Sequence, residues 1–230
     1  MKQVTALLLN WKRPDNMKQI IDCLMGQTAG VEIFLWNNNK KDPAKYGVDV
    51  KIHSSRNFLC WPRWLMASLA RTEFVFTLDD DVILTRPTVI QECIDFFVKP
   101  NTPKDTILGI YGVKLNEASK YTKSRHIRKP GRNAKVDIVK GRFMFMRRDF
   151  VQKIPMGHEL NRGDDIYISS FSKSKMIPAF LTGAWKDLPE GDVALYGQKH
   201  HKSGRQSAVD NYFKGRGLCH DGATACAVCK

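Results

Sequence analysis

Short apolar runs alternate with apolar residues at helical spacing, and the alternation predicts a chain of strand–helix units. Val4 to Leu9 is a continuous apolar run, as in a strand buried on both faces, and Asn10-Trp11-Lys12-Arg13-Pro14 ends it with turn chemistry. Met17, Ile20, Ile21 and Leu24 then recur at helical spacing up to Gly26, with Pro14 suited to the first turn and Asp15 complementing the helix N-terminus. Val31 to Trp36 predicts a second strand, closed by the polar turn Asn37-Asn38-Asn39, and Val48 to Ile52 a third, shorter one. A helix over Pro62 to Ala70 leads into the strand Phe74 to Leu78, then Asp79-Asp80-Asp81, then a helix over Pro87 to Val98.

The second half is less regular. Thr106 to Val113 predicts a further strand, and Asn116 to Asn133 a mobile basic loop broken by Pro130 and Gly131. Val136 to Val139 and Arg142 to Met146 are expected to pair as short strands. A short helix follows Arg147 and Arg148 as far as Ile154, Asp164 to Phe171 carries helix-start acids, and Ile177 to Leu181 predicts the last strand. These elements describe an α/β domain with a central, mostly parallel mixed sheet flanked by helices, spanning residues 1–213, with 214–230 a flexible tail.

Composition changes this picture little. The 230 residues are 43% hydrophobic, enough for a large core. The apolar run Ala6 to Leu9 near the start falls far short of the roughly 20 residues of a membrane helix. A soluble, cytoplasmic protein is expected, and Cys23, Cys60 and Cys93, isolated in apolar or helical surroundings, fit a reducing compartment. Cys219-His220 and Cys226-x-x-Cys229 have zinc-ligand types but fall in the predicted tail.

Charge changes it more. The net charge is +14, and between Lys114 and Arg148 the only acids are Glu117 and Asp137. Such a face attracts nucleic acid, an anionic membrane surface, an acidic glycan or a diphosphate-bearing substrate, or is simply solvated.

The triple Asp carries the sharpest chemistry. Burying ionised carboxylates is costly, so three in a row at a strand end imply solvent, a cation or both; oxygen-only ligands point to Mn²⁺ or Mg²⁺. An acidic turn before the next helix is the plain alternative. Ligands of open α/β sheets bind outside the carboxyl ends of the strands, which gathers Asn10 to Arg13, Asn37 to Asn39 and Asp79 to Asp81 on one edge. Together these can hold a base, a ribose and a metal-bridged diphosphate. No G-x-G-x-x-G and no P-loop motif follows any of these strands, so phosphates must be met by metal and basic side chains.

In this order the motifs resemble those of GT-A glycosyltransferases, nucleotide-sugar-dependent enzymes with an Asp-x-Asp motif. Leu9-Asn10-Trp11-Lys12-Arg13, Leu35-Trp36-Asn37-Asn38-Asn39, Arg71-Thr72-Glu73 leading to Leu78-Asp79-Asp80-Asp81, Gly163-Asp164-Asp165-Ile166, and His201 with Arg205 resemble successive blocks of the exostosin-like glycosyltransferase domain. The resemblance covers residues 4–213 and implies a retaining, Mn²⁺-dependent enzyme that uses a UDP-sugar. It places Arg13, Asn38 and Arg63 on the nucleotide or its phosphates, Asp79 near the ribose, Asp81 on the metal, Arg205 on the leaving diphosphate or donor sugar, and Asp165 or Asp164 beside the reacting sugar. Compact domains similar to this one are encoded by bacteria and by large algal DNA viruses that glycosylate their capsid protein. Membrane anchors, disulfides and Asn-x-Ser/Thr sequons typical of the exostosin-like enzymes are not seen in this sequence.

Sugar transfer develops charge on the departing phosphate and an oxocarbenium-like sugar. A divalent cation answers the first charge and a carboxylate, here Asp165, the second, as base or as stabilising charge; Asp164 and Asp165 are also favourable simply as first-turn acids. Asp80 completes the acid run. His201-Lys202-Ser203-Gly204 has the form of a C-terminal metal-ligand histidine followed by glycine, with Lys202 and Arg205 on a mobile lid over the phosphates. Trp11 can pack on the base or in the core, and Trp61 and Trp64 can form a sugar platform or a buried helix face. Arg142, Arg147 and Arg148 resemble the acceptor-side arginines of GT-A enzymes. A glycan or glycoprotein acceptor is expected, and nucleic acid is not. The competing functions are a metal-dependent phosphoryl or nucleotidyl enzyme acting on nucleic acid and a sugar-binding module without turnover.

Overall fold

The computed structural model describes residues 2–39, 45–156, 163–189 and 201–214. Its first half comprises β1 (Val4–Asn10), α1 (Pro14–Met25), β2 (Val31–Asn37), β3 (Val50–His53), α2 (Pro62–Ala67), β4 (Phe74–Leu78), β5 (Val82–Leu84) and α3 (Val89–Phe97). The second half adds β6 (Ile107–Gly109), β7 (Gly112–Lys114), a 3₁₀ turn (Tyr121–Lys123), β8 (Arg125–Ile127), β9 (Ala134–Lys135), β10 (Ile138–Val139) and β11 (Phe143–Arg147). Then come α4 (Arg148–Gln152), α5 (Asp164–Phe171), β12 (Lys175–Ile177), a second 3₁₀ turn (Ala179–Leu181), β13 (Trp185–Asp187), α6 (His201–Val209) and a π-helical turn (Asp210–Lys214).

An eight-stranded sheet in the order β3-β2-β1-β4-β11-β6-β12-β9 forms the centre. Its first four strands run parallel, and β11 is inserted antiparallel between β4 and β6. The strand sequences explain their places. β4 sends Phe74, Phe76 and Leu78 to one face and Val75 to the other; β11 does the same with Phe143 and Phe145 against Met144 and Met146. Strands apolar on both faces need cover on both, which α1 and α3 supply on one side and α2, α4 and α5 on the other. The phenyl rings of Phe74, Phe76, Phe143 and Phe145 pack between β4 and β11 at centroid distances of 5.5 to 6.1 Å. Gly109 is obligatory here, because a Cβ would lie 2.2 Å from Val139 Cγ1.

Elements of the second half depart from the sequence expectation. The segment Thr106 to Val113 is not one strand: it bends at Ile110 and Tyr111, so that β6 joins the large sheet and β7 a small antiparallel sheet, β10-β7-β8. The expected basic loop contains a 3₁₀ turn and β8, which closes that small sheet. Nor do Val136–Val139 and Arg142–Met146 pair with each other; β10 takes β7, while β11, apolar on both faces, takes the central place beside β4. Pro178 ends β12 at Ile177, and β13 pairs with β5 as a separate two-stranded ribbon. Cys23, Cys60 and Cys93 are free thiols, and among the described residues no helix is long and apolar enough to cross a membrane. The cysteines at 219, 226 and 229 and nearly all of the expected tail lie outside the described residues.

Candidate functional site

Parallel pairing in register makes the tips of β1, β2 and β4 share one edge: Asn10 lies opposite Asn37, and Leu8 opposite Leu78. The residues that follow are therefore gathered by the sheet itself. β11 runs the other way, so its first residue, Phe143, meets Leu78 and the preceding Gly141 and Arg142 stand beside the acids. Ribbon pairing of Asp187 with Val82 brings in a further carboxylate.

These side chains form two ion-pair sets that meet at the consecutive acids 79–81. Arg13 pairs with Asp80 and, at 3.5 Å, with Asp81. Arg142 pairs with Asp187 and lies 3.2 Å from Asp81, and Arg63 bridges Asp79 at 2.9 Å and Asp164 at 3.2 Å. Five carboxyl groups thus share three guanidiniums. Burial, and next the neighbouring Asp79, push the Asp81 carboxyl up to about 6, against the pull of Arg142 and Arg13. Burial also raises Asp80 despite Arg13.

That oxygen-rich, negatively charged donor set fits a hard divalent cation. Among the described residues no three His, Cys, Asp or Glu side chains converge as a metal-ligand group. This is compatible with Mg²⁺ or Mn²⁺, which in phosphate-handling sites rest on one or two carboxylates and complete their shell from phosphate oxygens and water. His201 does not join Asp81 in such a group.

Asp164 and Asp165 open α5 after Gly163, whose φ of 94° is a left-handed conformation open to glycine at little cost. A Cβ there would also lie 2.9 Å from Ala208 of α6. Both carboxylates are buried. Asp164 accepts from Trp64 Nε1 at 2.7 Å, and burial, with Asp165 nearby, raises its carboxyl despite Arg63. Burial acts on Asp165 too, but Arg205 at 2.8 Å, Lys140 and the Gly141 N–H at 3.1 Å prevail and hold it below the usual carboxylate range. The pair is split into an ionised Asp165 and an Asp164 pushed toward the acid form. Asp165 Oδ1 also accepts the Ile166 N–H at 2.9 Å, so both oxygens are engaged.

Other residues expected at the site fall into two groups. Trp11 and Arg13 are partly exposed at the edge, with the Lys12 ammonium 5.2 Å over the Trp11 ring. Asn10, Asn38 and Arg63 are buried. Asn10 donates to Asn37, while Asn38 donates to the Leu59 carbonyl and accepts the Phe58 N–H, tying down the 54–59 loop. Arg63 donates to the Gly141 and Cys60 carbonyls besides its two acids, so it props the acids from beneath. Trp64 is core, while Trp61, half-buried just before α2, packs edge-on to Tyr167 at 5.6 Å.

Residues 201–209 of the expected lid form α6. Lys202 is exposed on α6, whereas Arg205 points inward and is 8% exposed, because it has the buried Asp165 to neutralise. Of the three arginines flanking β11, Arg142 alone reaches the acids. Arg147 and Arg148 stand at the far end of an antiparallel strand, where Arg147 pairs with Glu73 and covers Phe74.

Sequence reasoning missed Asp187 and Lys140. Lys140 sits 4.3 Å over the Tyr111 ring and 5.8 Å over Tyr121, with Arg205, Arg128 and Arg142 near it and Asp165 the opposing charge. Burial, and then the arginines, bring its ammonium down to about 8. Below pH 8 the crowded cation lowers stability. Between about 8 and the ordinary 10.5 the folded protein has shed a proton that the unfolded chain keeps, so stability rises with pH. In urea unfolding, Lys140→Gln is expected to be more stable than wild type at neutral pH, with the gap closing as pH approaches 10.5. A gap independent of pH would show that Lys140 is not crowded.

No protein-family model matches this sequence, and no curated protein matches it. Solved structures do. TarS 1–349 of S. aureus superposes with a TM-score of 0.59 over 97% of this chain and 76% of that one, at 11% identity. Its complex with UDP-GlcNAc gives 0.59 over 88% and 61%, at 12% identity. Mannosyltransferase PcManGT from Pyrobaculum calidifontis, in complex with GDP-Man and Mn²⁺, gives 0.60 over 97% and 66%, at 10% identity. This chain spans under half of the longer TarS chain, 46% of its length. A large, mostly parallel sheet flanked by helices, shared with such glycosyltransferases, gives this protein the GT-A fold.

Proposed function

We propose that this protein is a glycosyltransferase, of hexosyltransferase type, that moves a sugar from a nucleotide-diphosphate donor to a glycan or glycoprotein acceptor. One observation carries the reading: on a GT-A sheet, Arg13 from the tip of β1 and Arg142 before β11 converge on the acids at the tip of β4, placing cations for a diphosphate beside carboxylates for a metal. The exostosin-like order of motifs favours UDP and retention of configuration; the neighbours bind UDP-GlcNAc or GDP-Man.

Asp81 would hold Mn²⁺ or Mg²⁺, which when bound would neutralise charge on the leaving diphosphate. The chain's own residues do the rest. Arg13 and Arg142, each now shared between carboxylates, exchange one partner for a phosphate oxygen and so orient the donor. Trp11 and the 54–59 loop anchored by Asn38 border the nucleoside side. Asp165 supplies negative charge near the reacting sugar; with both oxygens already accepting hydrogen bonds, it acts as a fixed charge and not as a proton acceptor.

Thermal unfolding with UDP-GlcNAc and with GDP-mannose, each with and without Mn²⁺, tests the reading. A ligand at a hundred times its Kd adds about 2.7 kcal/mol, a rise of about 5–10 °C for a chain of this size. One nucleotide sugar is expected to give that rise only with Mn²⁺, and Asp81→Asn to abolish it. No shift with either nucleotide under either condition would sink the proposal.

A further inference from the structure

One cluster is left without a task by glycosyl transfer as described. Tyr111, in the bend between β6 and β7, and Tyr121, in the 3₁₀ turn before β8, are both buried, and cations stand on their rings. Arg128 lies 4.4 Å and Lys140 4.3 Å over Tyr111, and Arg205 4.8 Å over Tyr121. The Tyr111 hydroxyl is 2.7 Å from His126 Nδ1. Ring faces attract each cation but do nothing to stop the cations repelling one another. Asp165 is the carboxylate in their midst, and Arg205 already holds it. Among the described residues no carboxylate lies within ion-pair distance of Lys140 or Arg128.

The cluster's place relative to the donor edge is fixed by three consecutive residues. The Lys140 N–H is bonded to the Tyr111 carbonyl at 2.8 Å, Gly141 is bonded to both Asp165 and Arg63, and Arg142 reaches Asp81. Cα atoms two residues apart span at most about 7 Å. The Lys140 backbone therefore lies within about 7 Å of that of Arg142, whose guanidinium reaches the acid triad, and Asp165 is bonded to the residue between them.

We propose that Lys140 and Arg128, standing on the rings of Tyr111 and Tyr121 beside Asp165, form the acceptor subsite, and that this subsite takes an anionic sugar, its charge a phosphate or a carboxylate. The word acceptor rests on the glycosyl-transfer reading; the anion site does not. An anion bridging Lys140 and Arg128 relieves the repulsion that the fold otherwise tolerates there, and Asp165 beyond it repels a misplaced anion from the reacting centre. The donor's own diphosphate is the other source of such a charge.

Calorimetric titration of the full chain separates these sources. The probes are glucose 6-phosphate, methyl β-D-glucuronide, neutral methyl β-D-glucoside, and UDP with Mn²⁺. At least one anionic sugar is expected to bind, with UDP and Mn²⁺ present as well as without them, and the neutral glucoside not. Lys140→Gln and Arg128→Gln are each expected to weaken that binding about tenfold, with UDP affinity unchanged, and Lys140→Arg to retain it. Since Lys140→Gln removes a repelled charge, its thermal midpoint does not fall below wild type, and lost binding is not lost fold. Anionic sugars that bind no better than the glucoside overturn the proposal. So do variants that weaken UDP instead, which assign the cations to the donor. Anionic sugars that bind while UDP does not would remove the nucleotide reading and leave the anion site standing.

Discussion

Asp165→Asn is expected to lower the turnover of sugar transfer at least about a hundredfold while leaving the affinity for the nucleotide sugar within about twofold. Removing a fixed charge that acts only as the sugar becomes positive changes the transition state and not the ground state, so kcat falls and donor binding does not. The substitution has a second consequence. Asn keeps one carbonyl oxygen, which can accept from both Arg205 and the Gly141 N–H as Asp165 Oδ2 does, but it supplies no charge and turns its NH₂ toward the Ile166 N–H, and Arg205 is 8% exposed. Truncating one member of a buried pair typically costs about 3–5 kcal/mol, so the thermal midpoint must drop as well. Turnover is therefore measured per folded molecule, well below the variant's midpoint. If turnover so normalised equals wild type while the midpoint has fallen, Asp165 is only a first-turn acid of α5, and its catalytic assignment is wrong.

Legibility in the sequence follows how local the determinants are. The parallel half was readable because each strand is a short apolar run with polar turn residues after it, and because parallel register alone brings Arg13, Asn38 and Asp79 to one edge. The pairing of β11 was not, since an apolar strand's partner is chosen by burial on both faces and not by its neighbours in sequence. β5 and β13 are three residues each and separated by nearly a hundred, leaving no local signal for the ribbon that delivers Asp187. Arg205 reads as part of a mobile segment because Lys202, Ser203 and Gly204 precede it. Its burial depends on Asp165, on another helix. Lys140 looks like one more residue of a basic stretch; what distinguishes it is two tyrosine rings and Arg205, all distant in sequence. Arg63 was legible as a candidate, but its ion pairs were not, since nothing in Pro62–Ala67 shows that its guanidinium turns inward beside Trp64 and Met66.

Arg63→Leu tests the bracing role of these ion pairs most severely. The guanidinium is 3% exposed as a residue and ties three elements together: Asp79 after β4, Asp164 at the start of α5 and the Gly141 carbonyl before β11. Leucine fills much of the volume but leaves Asp164 buried with only the Trp64 N–H, so a loss of about 3–5 kcal/mol is expected. The pH dependence gives the mechanism away. Asp164 already has a raised pKa with Arg63 pulling it down, and without Arg63 it rises further. A carboxyl whose folded pKa exceeds its unfolded value is tolerated when protonated, so the variant recovers stability relative to wild type as pH falls and loses it as pH rises. Urea unfolding between pH 5 and 8 is expected to show the gap widening with pH, and Asp164→Leu added to Arg63→Leu to restore part of the loss. Donor affinity is expected to drop too if Asp79 serves the donor, because Asp79 loses its Arg63 partner; Arg63→Lys, which keeps the charge but cannot fork between two carboxylates, should regain stability before it regains donor binding. A gap that stays constant with pH, or a donor affinity untouched by Arg63→Leu, would mean that Arg63 merely fills space under the sheet edge and that Asp79 is aimed by something else.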